Sequence, residues 1–112
     1  MGTLHYGASR ASIRMDDRDL VHLQVVITTK LRRNEGFLIQ WDRPEGSGRG
    51  GFWIHPHCDL AYDYDETPDA AIDREELDRM MMAASGSAGV RITAEQHGEV
   101  HAVGKRTEQR VA

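Results

Sequence analysis

The chain holds one cysteine, Cys58, so no internal disulfide can form and no metal site built from several thiolates is available. Proline is scarce as well. Its three residues, Pro44, Pro56 and Pro68, sit in or beside stretches that read as loops or strand ends. Nowhere do about 18 apolar residues run together, so no membrane-spanning helix reads from the sequence. The opening Met1-Gly2-Thr3-Leu4-His5-Tyr6 lacks the basic region and apolar run of a secretory signal. A basic excess is missing too. The net charge is −4, which argues against the sequence-independent nucleic-acid binding that a cationic surface drives. Together these absences lead to the expectation of a reduced, cytoplasmic protein with no membrane contact.

What is present fits one folded domain. A chain of 112 residues buries about two thirds of the surface it exposes when unfolded, enough for a core without crosslinks. The apolar share of 39% is too high for a fully disordered chain. Leu4 and Tyr6, then Ile13 and Met15, alternate with polar neighbours and predict an N-terminal hairpin. Asp16 can cap a first helix, with Asp19 three residues on and Met15 and Leu20 in the staple positions. Leu20, Leu23, Val26, Ile27 and Leu31 form its apolar face. The β-branched run Val25-Val26-Ile27-Thr28-Thr29 argues for a strand instead, but the acidic start and the basic end (Lys30, Arg32, Arg33) favour the helix. Asn34-Glu35-Gly36 is the stop.

Three alternating runs follow, Phe37 to Asp42, Phe52 to His55 and Leu60 to Tyr64, and together they read as an antiparallel meander. A glycine-rich loop from Arg43 to Gly51 separates the first two. Asp73, Glu76 and the Ile72–Leu77 pair mark the start of a second helix, with Leu77, Met80, Met81 and Ala84 as its apolar stripe. Gly86 is its expected stop. Val90, Ile92 and Ala94 read as a strand, as do residues 99–103. The expected architecture is α+β, a two-layer sandwich with two helices on one face of a mostly antiparallel sheet, in the order ββαβββαββ. Residues 1–103 make the domain, and residues 104–112 read as a disordered tail.

Two constellations offer chemistry. His55-Pro56-His57-Cys58-Asp59 places imidazoles at i and i+2 of an extended segment, with thiol and carboxylate beside them, all metal-ligand types. A strand end with surface histidines around a proline kink explains the same string. The loop Arg43-Pro44-Glu45-Gly46-Ser47-Gly48-Arg49-Gly50-Gly51 lies between Trp41 and Trp53. Its glycines permit close approach to a ligand, its arginines match carboxylate or phosphate, and the indoles can stack. A plain hairpin connection accounts for the glycines equally. The loop lacks the Gly-Lys-Ser/Thr grip of a P-loop and precedes a strand, unlike a dinucleotide fingerprint. Lys30, Arg32 and Arg33 complement a helix C-terminus without needing a ligand. No Gly-x-Ser-x-Gly elbow exists.

The stretches Leu4-His5-Tyr6-Gly7, Met15-Asp16-Asp17-Arg18, Leu31-Arg32-Arg33-Asn34-Glu35, Gly46-Ser47-Gly48-Arg49 and Trp53-Ile54-His55-Pro56 together resemble a family of short actinobacterial proteins of about this length, sometimes labelled ATP-dependent DNA ligase. The resemblance spans residues 2–94. It implies no role for individual residues but draws attention to Arg49, Trp53 and His55. A ligase needs a lysine in a K-x-D-G setting to accept AMP. Lys30, followed by Leu31-Arg32-Arg33, and Lys105, followed by Arg106-Thr107-Glu108, both fail that requirement. The family has a serine-like residue in place of His57 and no cysteine after it, which counts against a metal site.

The leading expectation is a non-catalytic binding module, acting as a homodimer, that uses Trp41, Arg43, Arg49, Trp53 and His55. It expects a protein partner ahead of a nucleotide-like ligand and requires no cofactor. One alternative is an accessory protein in DNA metabolism. The other is a small metal-binding protein using His55, His57 and Asp59.

Overall fold

The computed structural model describes residues 1–7, 11–43, 46, 48–65 and 72–93. They form β1 (Gly2–Tyr6), β2 (Ala11–Met15), α1 (Asp17–Arg32), β3 (Phe37–Asp42), β4 (Arg49–Ile54), β5 (Leu60–Tyr64), α2 (Arg74–Ala84) and β6 (Val90–Ile92). The α+β class and the order of these elements are as expected from the sequence. The expected strand over 99–103 and the tail from 104 lie outside the described residues.

The strands divide between two sheets, each of three strands. One has the order β2-β1-β5 and the other β4-β3-β6. The meander expectation is therefore corrected at β5, which pairs with β1 (Leu4 opposite Tyr62) and not with β4. The turn after β4 carries the physical reason. His57 N–H donates to His55 Nδ1 at 3.2 Å, and Cys58 N–H to the His55 carbonyl at 3.1 Å, around Pro56. This folds the chain away from β4, and Gly7 N–H then receives it by donating to the Asp59 carbonyl at 2.8 Å. In the second sheet β3 pairs antiparallel with β4 and parallel with β6, which returns through α2.

Both helices begin at their predicted caps. The Asp16 carboxylate accepts from Arg18 N–H, and Asp73 accepts from the N–H groups of Glu75 and Glu76. Those donors hold the Asp73 carboxyl below its ordinary pKa, the Glu76 N–H foremost, with Glu75 and the Arg18 guanidinium adding. Asn34 takes a left-handed conformation, φ 61°, and ends α1 as read. Ser85 closes α2 one residue before Gly86. Helix wins over strand at 25–29, where Thr29 Oγ1 donates to the Val25 carbonyl at 2.8 Å, a back-bond that gives the hydroxyl a partner inside the helix.

The core draws on both sheets and α1: Leu4, Ile13, Met15, Leu20, Leu23, Val26, Phe37, Ile39, Trp41 and Ile54 are all buried. Met80 and Met81 pack against it, whereas Met82 is exposed. Polar links pin the two helices together at both ends. Near their N-termini Arg18 meets Asp73 at 3.0 Å and Glu76 at 3.1 Å. At the other end Lys30, which the sequence places in a basic cluster, is buried. Its ammonium donates to Glu35 at 3.1 Å and to Ser85 Oγ at 3.0 Å. Only Arg32 and Arg33 of that cluster remain exposed.

Candidate functional site

Alternation along β3 and β4 sorts the expected site residues onto two faces. Phe37, Ile39 and Trp41 point inward, facing Ile54, Phe52 and Gly50 across the pair. Leu38, Gln40 and Asp42 point outward, facing Trp53, Gly51 and Arg49. The two tryptophans are thus separated by the sheet.

Trp41 belongs to the core, and its assignment to a ligand surface is corrected. It is 2% exposed and lies edge-on to Phe52, with ring centroids 4.9 Å apart. Gly50 makes room for it: a Cβ there would stand 2.5 Å from the indole ring. Three apolar residues in phase, Phe37, Ile39 and Trp41, decide which face of β3 turns inward. Trp53 is out of phase with Phe52 and Ile54 for the same reason, and it is 57% exposed. Its ring covers Gly36, where an added Cβ would stand 2.9 Å from Cζ2. Its carbonyl accepts a hydrogen bond from Tyr6 OH, tying β4 to the other sheet.

Arg43 and Arg49 do come together, at the end of the β3–β4 hairpin. Arg43 Nη1 donates to the Arg49 carbonyl at 2.9 Å, and Arg43 N–H donates to the Gly48 carbonyl at 2.8 Å. Arg49 Nε lies 3.5 Å from Asp42. The same Asp42 carboxylate accepts from Arg91 Nη1 of β6 at 2.9 Å. Asp42, Arg43 and Arg49 line an open cavity of about 530 Å³ together with Gly46 and Gly48. Trp53 lies on the same outward face as Arg49 but four residues along β4, about 13 Å away at 3.3 Å per residue. His55 follows the strand end. The five expected residues therefore do not converge on one pocket.

The His55-Pro56-His57-Cys58-Asp59 string forms a turn. The rings of His55 and His57 are 6.5 Å apart and tilted, and His55 Nδ1 is occupied by the His57 N–H. Among the described residues no group of three His, Cys, Asp or Glu side chains is placed to hold a metal ion. Cys58 is half-buried, near Tyr6 and Tyr62. Burial pushes the Tyr62 hydroxyl up to about 12, with Tyr64 and Cys58 adding.

Two arginines escaped the sequence reading. Arg91 completes the outward face opposite Gln40, and Arg79 of α2 shares a second cavity with it. The signal for Arg91 was the single charged position between Val90 and Ile92, which puts it on the face opposite the core. Arg43, Arg49, Arg91 and Arg79 thus lie along one side of the molecule, with Asp42 between them. That is a cationic strip on a chain of net negative charge.

An α+β domain of two small sheets bridged by a pinned helix pair, with an arginine-lined outer sheet face, is the class these features define. The chain belongs to the family described as Domain of unknown function (DUF7882), whose model matches residues 1–95. No curated protein and no solved structure matches it. Among the described residues no helix is long and apolar enough to cross a membrane.

Proposed function

We propose that the protein is a non-catalytic binding module that takes a protein partner on the outward face of β4-β3-β6. The observation that carries this reading is Trp53. A large aromatic ring is presented to solvent from a strand whose backbone is held by β3 on one side and by Tyr6 on the other. An exposed tryptophan on a held strand loses little entropy on binding, and tryptophan and arginine are both enriched at interface hot spots. Leu38 beside it and Arg49 along the strand extend the surface.

The double variant Arg49→Ala/Trp53→Ala is expected to lose partner capture from host lysate while keeping its thermal midpoint within a few degrees, since both side chains are exposed. Undiminished capture by that variant would sink the reading. Salt-sensitive binding to duplex DNA would favour the DNA-metabolism alternative instead.

The same reading makes the module a homodimer through the outward face of α1. Val21 and Val25 there border a hollow of about 330 Å³ with Gln24, Thr28 and Thr29. Sedimentation velocity is expected to show a dimer for the native chain and a monomer for Val25→Glu. A native monomer removes this part of the proposal and leaves the Trp53 surface standing.

A further inference from the structure

A groove of about 530 Å³ runs between α2 and β6. Arg79, Met80 and Ala83 form its helical wall, and Gly89, Val90 and Arg91 form its strand wall. Glu76, Arg79, Met80 and Ala83 fall at i, i+3, i+4 and i+7, so one face of α2 lines the whole length. Gly89 fixes the strand wall. Its φ is +69°, and a Cβ would stand 2.1 Å from the Leu38 carbonyl oxygen, so only glycine lets β6 reach β3 there. Gln40 Nε2 donates to the Ala88 carbonyl at 2.5 Å and holds the turn before it.

From this geometry we propose that the groove binds an acidic peptide in extended conformation, added to the sheet as a strand beside β6. Among the described residues β6 pairs with β3 alone, and its other edge is the one such a strand would pair with. Strand addition supplies affinity through main-chain hydrogen bonds and selectivity through the alternate side chains that meet the helix. Met80 and Val90 make an apolar floor, and methionine adapts to different side chains.

Charge selects the occupant. Arg79 is exposed and has no ion pair among the described residues. Arg91 shares the single carboxylate of Asp42 with Arg49. Glu76, the one acidic residue of the lining among the described residues, is already engaged by Arg18. The groove therefore carries unspent positive charge and favours carboxylates. A second copy of the chain is the poorer fit, because antiparallel pairing of two β6 strands about a two-fold axis brings arginine against arginine. The groove meets the proposed partner face at Arg91, but Trp53, on β4 beyond β3, does not line it, and the proposal stands without the Trp53 reading.

The test uses the full chain and fluorescence anisotropy with three labelled peptides. The first alternates valine with glutamate, the second valine with lysine, and the third is the first with every second amide N-methylated. The valine–glutamate peptide is expected to bind, with the other two weaker by about tenfold or more, since each lacks either the charge or the strand hydrogen bonds. Arg79→Glu and the milder Arg79→Gln are expected to weaken the first peptide in that order, and Trp53→Ala to leave it unchanged. Equal binding of the acidic and basic peptides overturns the proposal, as does full binding by the N-methylated peptide or by Arg79→Glu. Failure of the acidic peptide to bind at all also overturns it. So does dissociation of a native dimer by that peptide, since the occupant is then a second copy.

Discussion

Replacing Trp41 with alanine is expected to cost about 3–5 kcal/mol of folding stability, the range for deleting a large buried aromatic. That is a large part of the 5–15 kcal/mol a small domain has in hand. The indole is almost fully enclosed, meets Phe52 edge-on, and fills the space that Gly50 leaves open across the hairpin. Two of its neighbours are held in place. Phe52 is held from the other side by Tyr6, ring centroids 4.7 Å apart, and β6 packs Ile92 opposite Trp41. Trp53→Ala removes the same number of atoms from the outer surface and is expected to change stability by less than about 1 kcal/mol. Urea unfolding followed by circular dichroism compares the two variants directly. Equal losses at both positions would mean that Trp53 is structural too, and the binding surface would lose its anchor.

The contrast between these tryptophans shows what was legible in the sequence. Both flank the same glycine-rich loop, and proximity along the chain grouped them into one site. The phase of each strand carried the better information: Trp41 repeats with Phe37 and Ile39, whereas Trp53 interrupts Phe52 and Ile54. Caps and staples were legible because they are local, and Asp16 and Asp73 begin α1 and α2 where their spacing to the next acidic residue places them. The pairing of β5 with β1 was not legible. It joins residues some 58 positions apart, such as Leu4 and Tyr62, and no local pattern distinguishes it from a meander. Arg79 was hidden for a similar reason, since its groove needs a strand that follows the helix. Lys30 looked like part of a charged end, yet it and His22, which the sequence reading passed over, both sit on the stripe that α1 turns toward α2.

His22→Leu is the variant that tests this last point, and it is expected to cost about 1–3 kcal/mol, the penalty for leaving a buried donor without its acceptor. His22 is 0% exposed. Its Nδ1 is 2.7 Å from the Arg18 carbonyl, and its Nε2 is 2.9 Å from the backbone nitrogen of Asp73. A carbonyl can only accept and a backbone N–H can only donate, so the ring is neutral with its proton on Nδ1. The imidazole thereby takes the Asp73 N–H, the donor that a capping-box carboxylate would otherwise satisfy, and leaves Glu76 free to pair with Arg18. Leucine fills most of the ring's volume but accepts nothing, so the loss measures the hydrogen bond more than the packing. Glutamine, which can accept from the Asp73 N–H through Oε1, is expected to recover part of it. Hydrogen exchange should report faster exchange at Asp73, Glu75 and Glu76 in His22→Leu, while the β3–β4 hairpin stays protected. Unchanged exchange in α2 would mean that the ring is only packed there. Loosening confined to the first turn of α2 would show that His22 holds that turn against α1 alongside the Arg18 ion pairs, while Lys30 and Ser85 keep the far end of the helix in place.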